Sequence, residues 1–259
     1  MKPMSTVEGN SFRYKLPVGF CAVSDLEIKP RLYFGHACLD QSIGGLRPGQ
    51  VVFFYGSRQC LMLSELLCVQ VQLEARSGGF NSKAIFIDGG NTFDPYFIAE
   101  HVAERSPEVL DQALDGILVS RAFTCHQLTS FITRTLPEEI RKLKVKLIVV
   151  SDMINLYCDP DVDRRERLAS LKVSLNSLTS IAGFNQVVVL LTGLNGKVSR
   201  SYLRAVTDRV DVVARLEEVR DHSARIILEK HPTLLGRSLT VEKSTSRFLE
   251  DFLEVATDG

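Results

Sequence analysis

The sequence predicts an α/β domain in three layers: a mostly parallel central sheet between helices, with an antiparallel hairpin at its C-terminal edge. Three observations predict it. Short apolar runs, such as residues 84–87 and 146–150, lack polar alternation, as strands covered on both faces do. Helix-like stretches separate them, so consecutive strands are joined by crossovers. The last third then changes character: residues 211–216 and 224–228 are strand-like and joined through a polar stretch, the pattern of a hairpin.

Element by element, residues 1–34 form an arm with prolines at Pro3, Pro17 and Pro30, residues 35–243 form the core domain, and residues 244–259 form a tail. In the core, the Arg47-Pro48-Gly49 turn leads into a β-branched and aromatic strand ending at Tyr55. Leu63, Leu66, Leu67 and Val71 recur at helical spacing, predicting a helix over 63–76. Strand 84–87 ends at Asp88-Gly89-Gly90. A helix over 95–105, a strand over 116–119, a helix over 127–143 and a strand over 146–150 follow. A helix over 164–181 and a strand over 186–191 precede the hairpin. In the tail, Phe248, Leu249, Phe252 and Leu253 make one stripe of a short helix.

Composition narrows the function. Of 259 residues, 45% are apolar and 24% charged, which excludes disordered and fibrous classes. Lys plus Arg and Asp plus Glu both number 31, so no global field steers the chain onto nucleic acid, and any phosphate contact needs a local patch. The six cysteines form no C-x-x-C pair and the histidines have no ligand spacing, so no metal site is expected. Reduced cysteines in apolar runs, scattered charges over 1–17 and no bilayer-length apolar run lead to the expectation of a cytoplasmic protein without membrane contact, nucleoid-associated if it binds DNA.

The run Gly35-His-Ala-Cys-Leu-Asp-Gln-Ser-Ile-Gly-Gly-Leu-Arg-Pro-Gly49 resembles the entry to the ATPase core of the RecA/RadA recombinase family. The likeness continues in order. Ile87-Asp88-Gly89-Gly90-Asn91-Thr92-Phe93 is similar to the family's I-D-T-E-G-T-F segment. Ser120-Arg121-Ala122-Phe123 with His126-Gln127 is similar to its R-A-F…H-Q stretch. Residues 147–150 with Leu156-Tyr157 resemble the Walker B strand and its sequel, and Glu229-Lys230-His231-Pro232 resembles an archaeal K-H-P turn. The resemblance implies a RecA-like, P-loop-type fold.

Against that pattern, five positions depart. A phosphate-binding loop, G-x-x-x-x-G-K-[ST], needs glycines for backbone approach, a lysine for charge and a hydroxyl for Mg²⁺. Counting from Gly56, the second glycine falls on Leu61, the lysine on Met62 and the hydroxyl on Leu63. The catalytic glutamate falls on Gly90 and the Walker B aspartate on Ser151, with Asp152 one residue later on the opposite side of the strand alternation. The resemblance, so altered, implies a degenerate nucleotide pocket, no bound cofactor and no catalytic residue.

Two surfaces remain. The family contacts DNA through two loops, here about 159–168 and 194–210. The second carries Lys197, Arg200, Arg204 and Arg209 around Tyr202, which suits single-stranded DNA through phosphate contacts and stacking. The i, i+4 spacing of 200, 204 and 208 equally describes a solvated helix face. The first loop is mixed in sign and carries little. Gly19-Phe20-Cys21-Ala22-Val23 resembles the motif by which recombinase protomers insert a phenylalanine into a neighbour, making Phe20 and Val23 candidate protomer contacts. The expectation is a non-catalytic accessory or adaptor in recombination or repair, with a recombinase, nuclease or helicase, or a second copy, as partner. The alternatives are a composite-site ATPase completed by a neighbouring subunit, and a structural subunit of a complex unrelated to DNA.

Overall fold

A computed structural model of the chain describes residues 30–104, 106–194, 200–219, 223–234 and 238–241. Phe20, Val23, Lys197 and the tail stripe lie outside the described residues.

The central strand is β1 (Val51–Gly56), all six of its residues buried. Its neighbours are β5 (Val188–Leu194) and β6 (Val212–Val219), both parallel to it. Beyond β5 lie β4 (Leu147–Ser151), β2 (Ala84–Asp88) and, at the edge, β3 (Ile117–Arg121), again parallel. Beyond β6, β7 (Ser223–Lys230) and β8 (Ser238–Val241) add antiparallel strands. The order is β3-β2-β4-β5-β1-β6-β7-β8. The predicted parallel sheet and C-terminal hairpin are both present, and β8 extends the hairpin by a strand.

Strand alternation divides the core in two. Val52 and Phe54 face α1 (Ala37–Ile43), α2 (Gln59–Gln70) and α3 (Pro95–Ala103), where Leu39, Leu67 and Ile98 are fully buried. Val51 and Phe53 face α5 (Cys125–Ser130), α6 (Leu136–Leu143), α8 (Arg164–Asn185) and α9 (Arg200–Thr207). Burying a phenylalanine such as Phe53 or Phe54 contributes roughly 2–3 kcal/mol. Two short helices, α4 (Leu110–Asp115) and α7 (Met153–Leu156), complete the set. Leu32 and Phe34 are also fully buried, and Leu32 exchanges backbone hydrogen bonds with Leu46, so core packing begins before Gly35.

Local chemistry explains the boundaries. Asp94 caps α3 by accepting from the Tyr96 and Phe97 amides, with Pro95 in the first turn; Asp163 caps α8 in the same way. The helix expected over 127–143 begins two residues earlier and contains a π-helical segment, Phe131–Thr135. There Thr133 Oγ1 donates to the Thr129 carbonyl at 2.7 Å, a side-chain bond that competes with the ordinary ladder. No helix among the described residues is long and apolar enough to cross a membrane.

Candidate functional site: the strand ends and the turn after β1

Parallel strands bring their carboxyl ends to one edge of the sheet, where α/β folds place ligands. The turn leaving β1 is the first structure to test there. Only Ser57 and Arg58 separate Gly56 from the first residue of α2, Gln59. The helix begins four residues before the predicted position of 63, and its early amides are spent on it. Cys60 N–H donates to the Ser57 carbonyl at 3.2 Å, while Leu61 and Met62 donate to the Arg58 carbonyl at 3.0 and 3.4 Å. Amides turned inward along a helix cannot also converge on a phosphate.

The side chains agree. Leu61 and Leu63 are each 4% exposed and pack in the cluster with Leu66 and Leu67; Met62 is half-buried. Gly56 has a structural cause of its own. Its φ is +124°, and a Cβ there would stand 2.1 Å from the Leu216 carbonyl oxygen, the same oxygen that accepts from Ser57 N–H at 2.8 Å. The strand exit is thus fastened to β6. Beside it lies an open depression of about 560 Å³ lined by Gly56, Ser57, Arg58, Leu194, Leu216, Glu217 and Glu218. Glu217 is paired with Arg215, which leaves Glu218 against Arg58 and no excess of positive charge to hold a polyphosphate.

Across the sheet edge, the ends of β2 and β4 are joined by hydroxyls and one buried carboxylate. Asp88, 1% exposed, accepts from Ser151 Oγ at 3.0 Å, from Thr92 N–H at 2.9 Å and from Phe93 N–H at 3.3 Å, and pairs with Arg121 at 3.8 Å. Ser151, fully buried, also meets Thr92 Oγ1 at 3.0 Å. Asp152 does not lie on β4, which ends at Ser151; it leaves in the left-handed region at φ 42° and ψ 41°. Burial raises its carboxyl above the ordinary value, the Leu194 amide opposes that, and Asp88 adds to it. Gly90 faces it: a Cβ there would lie 2.9 Å from the Asp152 Cβ.

Two further groups close the region. Cys60 Sγ points at the Gly193 carbonyl, 3.7 Å away, and burial pushes this thiol up to about 12, so it is an inert core group. Glu65, 2% exposed on α2, accepts from the Asp94 amide at 2.9 Å, and burial raises its carboxyl to about 7. Among the described residues no group of His, Cys, Asp and Glu could hold a metal ion. The sequence places Asp88 and Thr92 in one motif but carries no sign that they form a network, and it hardly marks Glu65. A glutamate three residues after Met62 in an apolar helix was its only signal.

Below the strand ends, α8 and α9 form a basic seam. Arg164 Nη2 donates to Ser201 Oγ at 3.3 Å, and Arg209 Nε donates to Asn176 Oδ1 at 3.2 Å. Both partners rise in number together, so the helices run side by side in the same direction. Arg164, expected in a loop of mixed sign, is the first residue of α8 and reaches the first turn of α9 at Ser201. Arg204 is exposed, paired with Asp208 at 3.7 Å, and a groove of about 470 Å³ runs from Arg200 and Arg204 to Lys230, whose Nζ donates to the Thr207 carbonyl. Tyr202 departs from the expected pattern. It is 4% exposed in the core against the sheet, because the α9 face at 202, 205 and 206 is the apolar one, so its ring offers no stacking surface.

Comparison with known proteins follows the same lines. A family model described as Rad51 matches residues 31–211. The DNA repair protein RAD51 homolog of Solanum lycopersicum is 29% identical over 191 residues, covering 68% of this chain and 54% of that protein. The DNA repair protein RAD51 homolog B of Zea mays is 30% identical over 188 residues, with the same coverage on both sides. The chain spans about half the length of these relatives. With the matched segment running from the first buried residues among those described through β5 and α9, the chain belongs to the Rad51 family.

Proposed function

We propose that this chain is a non-catalytic Rad51-family paralogue, an accessory or adaptor in DNA recombination and repair. It acts by binding a recombinase, nuclease or helicase, or a second copy of itself, and by holding single-stranded DNA along the α8–α9 seam. One observation carries the non-catalytic part: β1 feeds α2 after two residues, with the amides of 60–62 bonded within the helix. A triphosphate there would find Leu61, Met62 and Leu63 in place of glycine, lysine and hydroxyl, the two leucines turned into the core, and a rim with no excess of positive charge. The names of the tomato and maize relatives support the pathway. The exposed arginines Arg200 and Arg204, with Arg164 bonded to Ser201 on the same helix, support the nucleic-acid contact.

Two titrations test the reading. Calorimetry of Mg·ATP into the chain is expected to give no binding heat; micromolar binding would return the site to nucleotide. Single-stranded DNA affinity is expected to fall with salt, at a slope of roughly 0.7 per phosphate contacted. The combined change Lys197→Ala, Arg200→Ala and Arg204→Ala should then flatten that slope by about 2. An unchanged slope removes the seam from the proposal.

A further inference from the structure

β4 and β5 stop exchanging backbone bonds at the Val150–Leu191 pair, yet their ends stay joined. Asp152 continues the ladder with its own groups. Its N–H donates to Thr192 Oγ1 at 3.0 Å, and its Oδ1 accepts from the Leu194 N–H at 3.2 Å. Reaching both partners forces the left-handed backbone at φ 42°, a conformation that a residue other than glycine keeps only when its surroundings over-determine it. Those surroundings are present. Asp152 is 6% exposed, and Gly90 leaves the space its side chain fills, since a Cβ there would lie 2.9 Å from the Asp152 Cβ and 3.0 Å from its Oδ2. On the preceding residue, Ser151 Oγ is held by Asp88 and Thr92.

We propose that Asp152 is a positioning residue that sets where the chain leaves β5 for α9, a bond made within the chain and independent of nucleotide. Its carboxylate fixes the backbone at Leu194, while Arg164 holds the first turn of α9 through Ser201. Leu194 and Ser201 are thus each bonded to another element within the chain itself. The device is internal and stands whether or not nucleic acid occupies the seam.

Residue-resolved amide hydrogen exchange on the full chain tests it. Asp152→Gly relieves the left-handed backbone and deletes the carboxylate. Exchange at Leu194 is expected to quicken about ten- to hundredfold, with Phe86 and Val149 in the neighbouring strands unchanged. Asp152→Asn keeps an acceptor and tolerates the backbone, so it should preserve most of the Leu194 protection. Thr192→Val, nearly isosteric, should quicken exchange at Asp152. In the unaltered chain, millimolar Mg·ATP should change none of these rates. The proposal is overturned if Asp152→Gly leaves Leu194 as slow as before or accelerates Phe86 and Val149 equally. Protection of Leu194 gained on adding Mg·ATP overturns it as well.

Discussion

Glu65 Oε1 accepts a 2.9 Å hydrogen bond from the Asp94 amide, tying the middle of α2 to the capping residue of α3. The carboxyl is 2% exposed; Asp94 and Asp88 act on it with like charge, and Arg58 only partly offsets them. Its value in the folded chain, about 7, stands above the ordinary 4.5. Stability from the neutral acid is thus complete below about pH 4.5 and is lost as pH rises through 7. The difference is on the order of 3 kcal/mol. Asp40 and Asp152, both raised by burial, act in the same direction. Glu65→Gln, which can still accept from Asp94, should flatten the fall in denaturation midpoint between pH 5 and 8. Parallel curves for the two proteins would exclude Glu65 as the cause.

The two glycines of the candidate site should differ sharply. Gly56→Ala places a Cβ 2.1 Å from the Leu216 oxygen at a φ that L residues rarely adopt, and neither strand can yield. A loss above about 3 kcal/mol is expected. Gly90→Ala meets the Asp152 side chain at 2.9 Å and should cost about 1–3 kcal/mol. Urea unfolding ranks them, and equal losses would mean that the β1–β6 contact is looser than described.

Restoring the family's residues at 62 and 63 should not restore nucleotide binding. Met62→Lys is half-buried and should be tolerated, whereas Leu63→Thr removes a core side chain at roughly 2–3 kcal/mol. Neither variant, nor the pair, should bind Mg·ATP by calorimetry, because the turn between β1 and α2 holds two residues.

Tyr202 separates core from contact surface. Its hydroxyl is buried without a hydrogen-bond partner among the described residues, so Tyr202→Phe should be neutral or stabilise by up to about 1 kcal/mol. Tyr202→Ala should lose about 3–5 kcal/mol. A Tyr202→Phe variant that weakens DNA binding without altering the melting temperature would show that the hydroxyl faces ligand.

Much of this was legible in the sequence. Unbroken apolar runs located the parallel strands, and residue counting from Gly56 placed leucine and methionine where phosphate chemistry needs glycine and lysine. What the pattern could not supply was geometry. The early start of α2 is invisible because Cys60, Leu61 and Leu63 suit a buried loop as well as a buried helix turn. Alternation put Asp152 on the wrong side of β4, since a left-handed residue ends the alternation it was counted on. Arg164 and its partner Ser201 are 37 positions apart in the sequence. Their adjacency comes from α8 and α9 lying along each other, which no local spacing records.

The fastening of Gly56 and Ser57 to Leu216 also bears on descent. All eight positions from Gly56 to Leu63 are present, but the first turn of α2 takes up those that a phosphate-binding loop would leave open, and reverting one side chain does not unwind that turn. Regaining a loop would take unwinding of the first turn of α2 together with release of the β6 contact, and each change alone would harm a sheet already closed at its centre. Under the proposed function, lineages that inherit this turn work without nucleotide at it, and selection on them acts through the surfaces outside it.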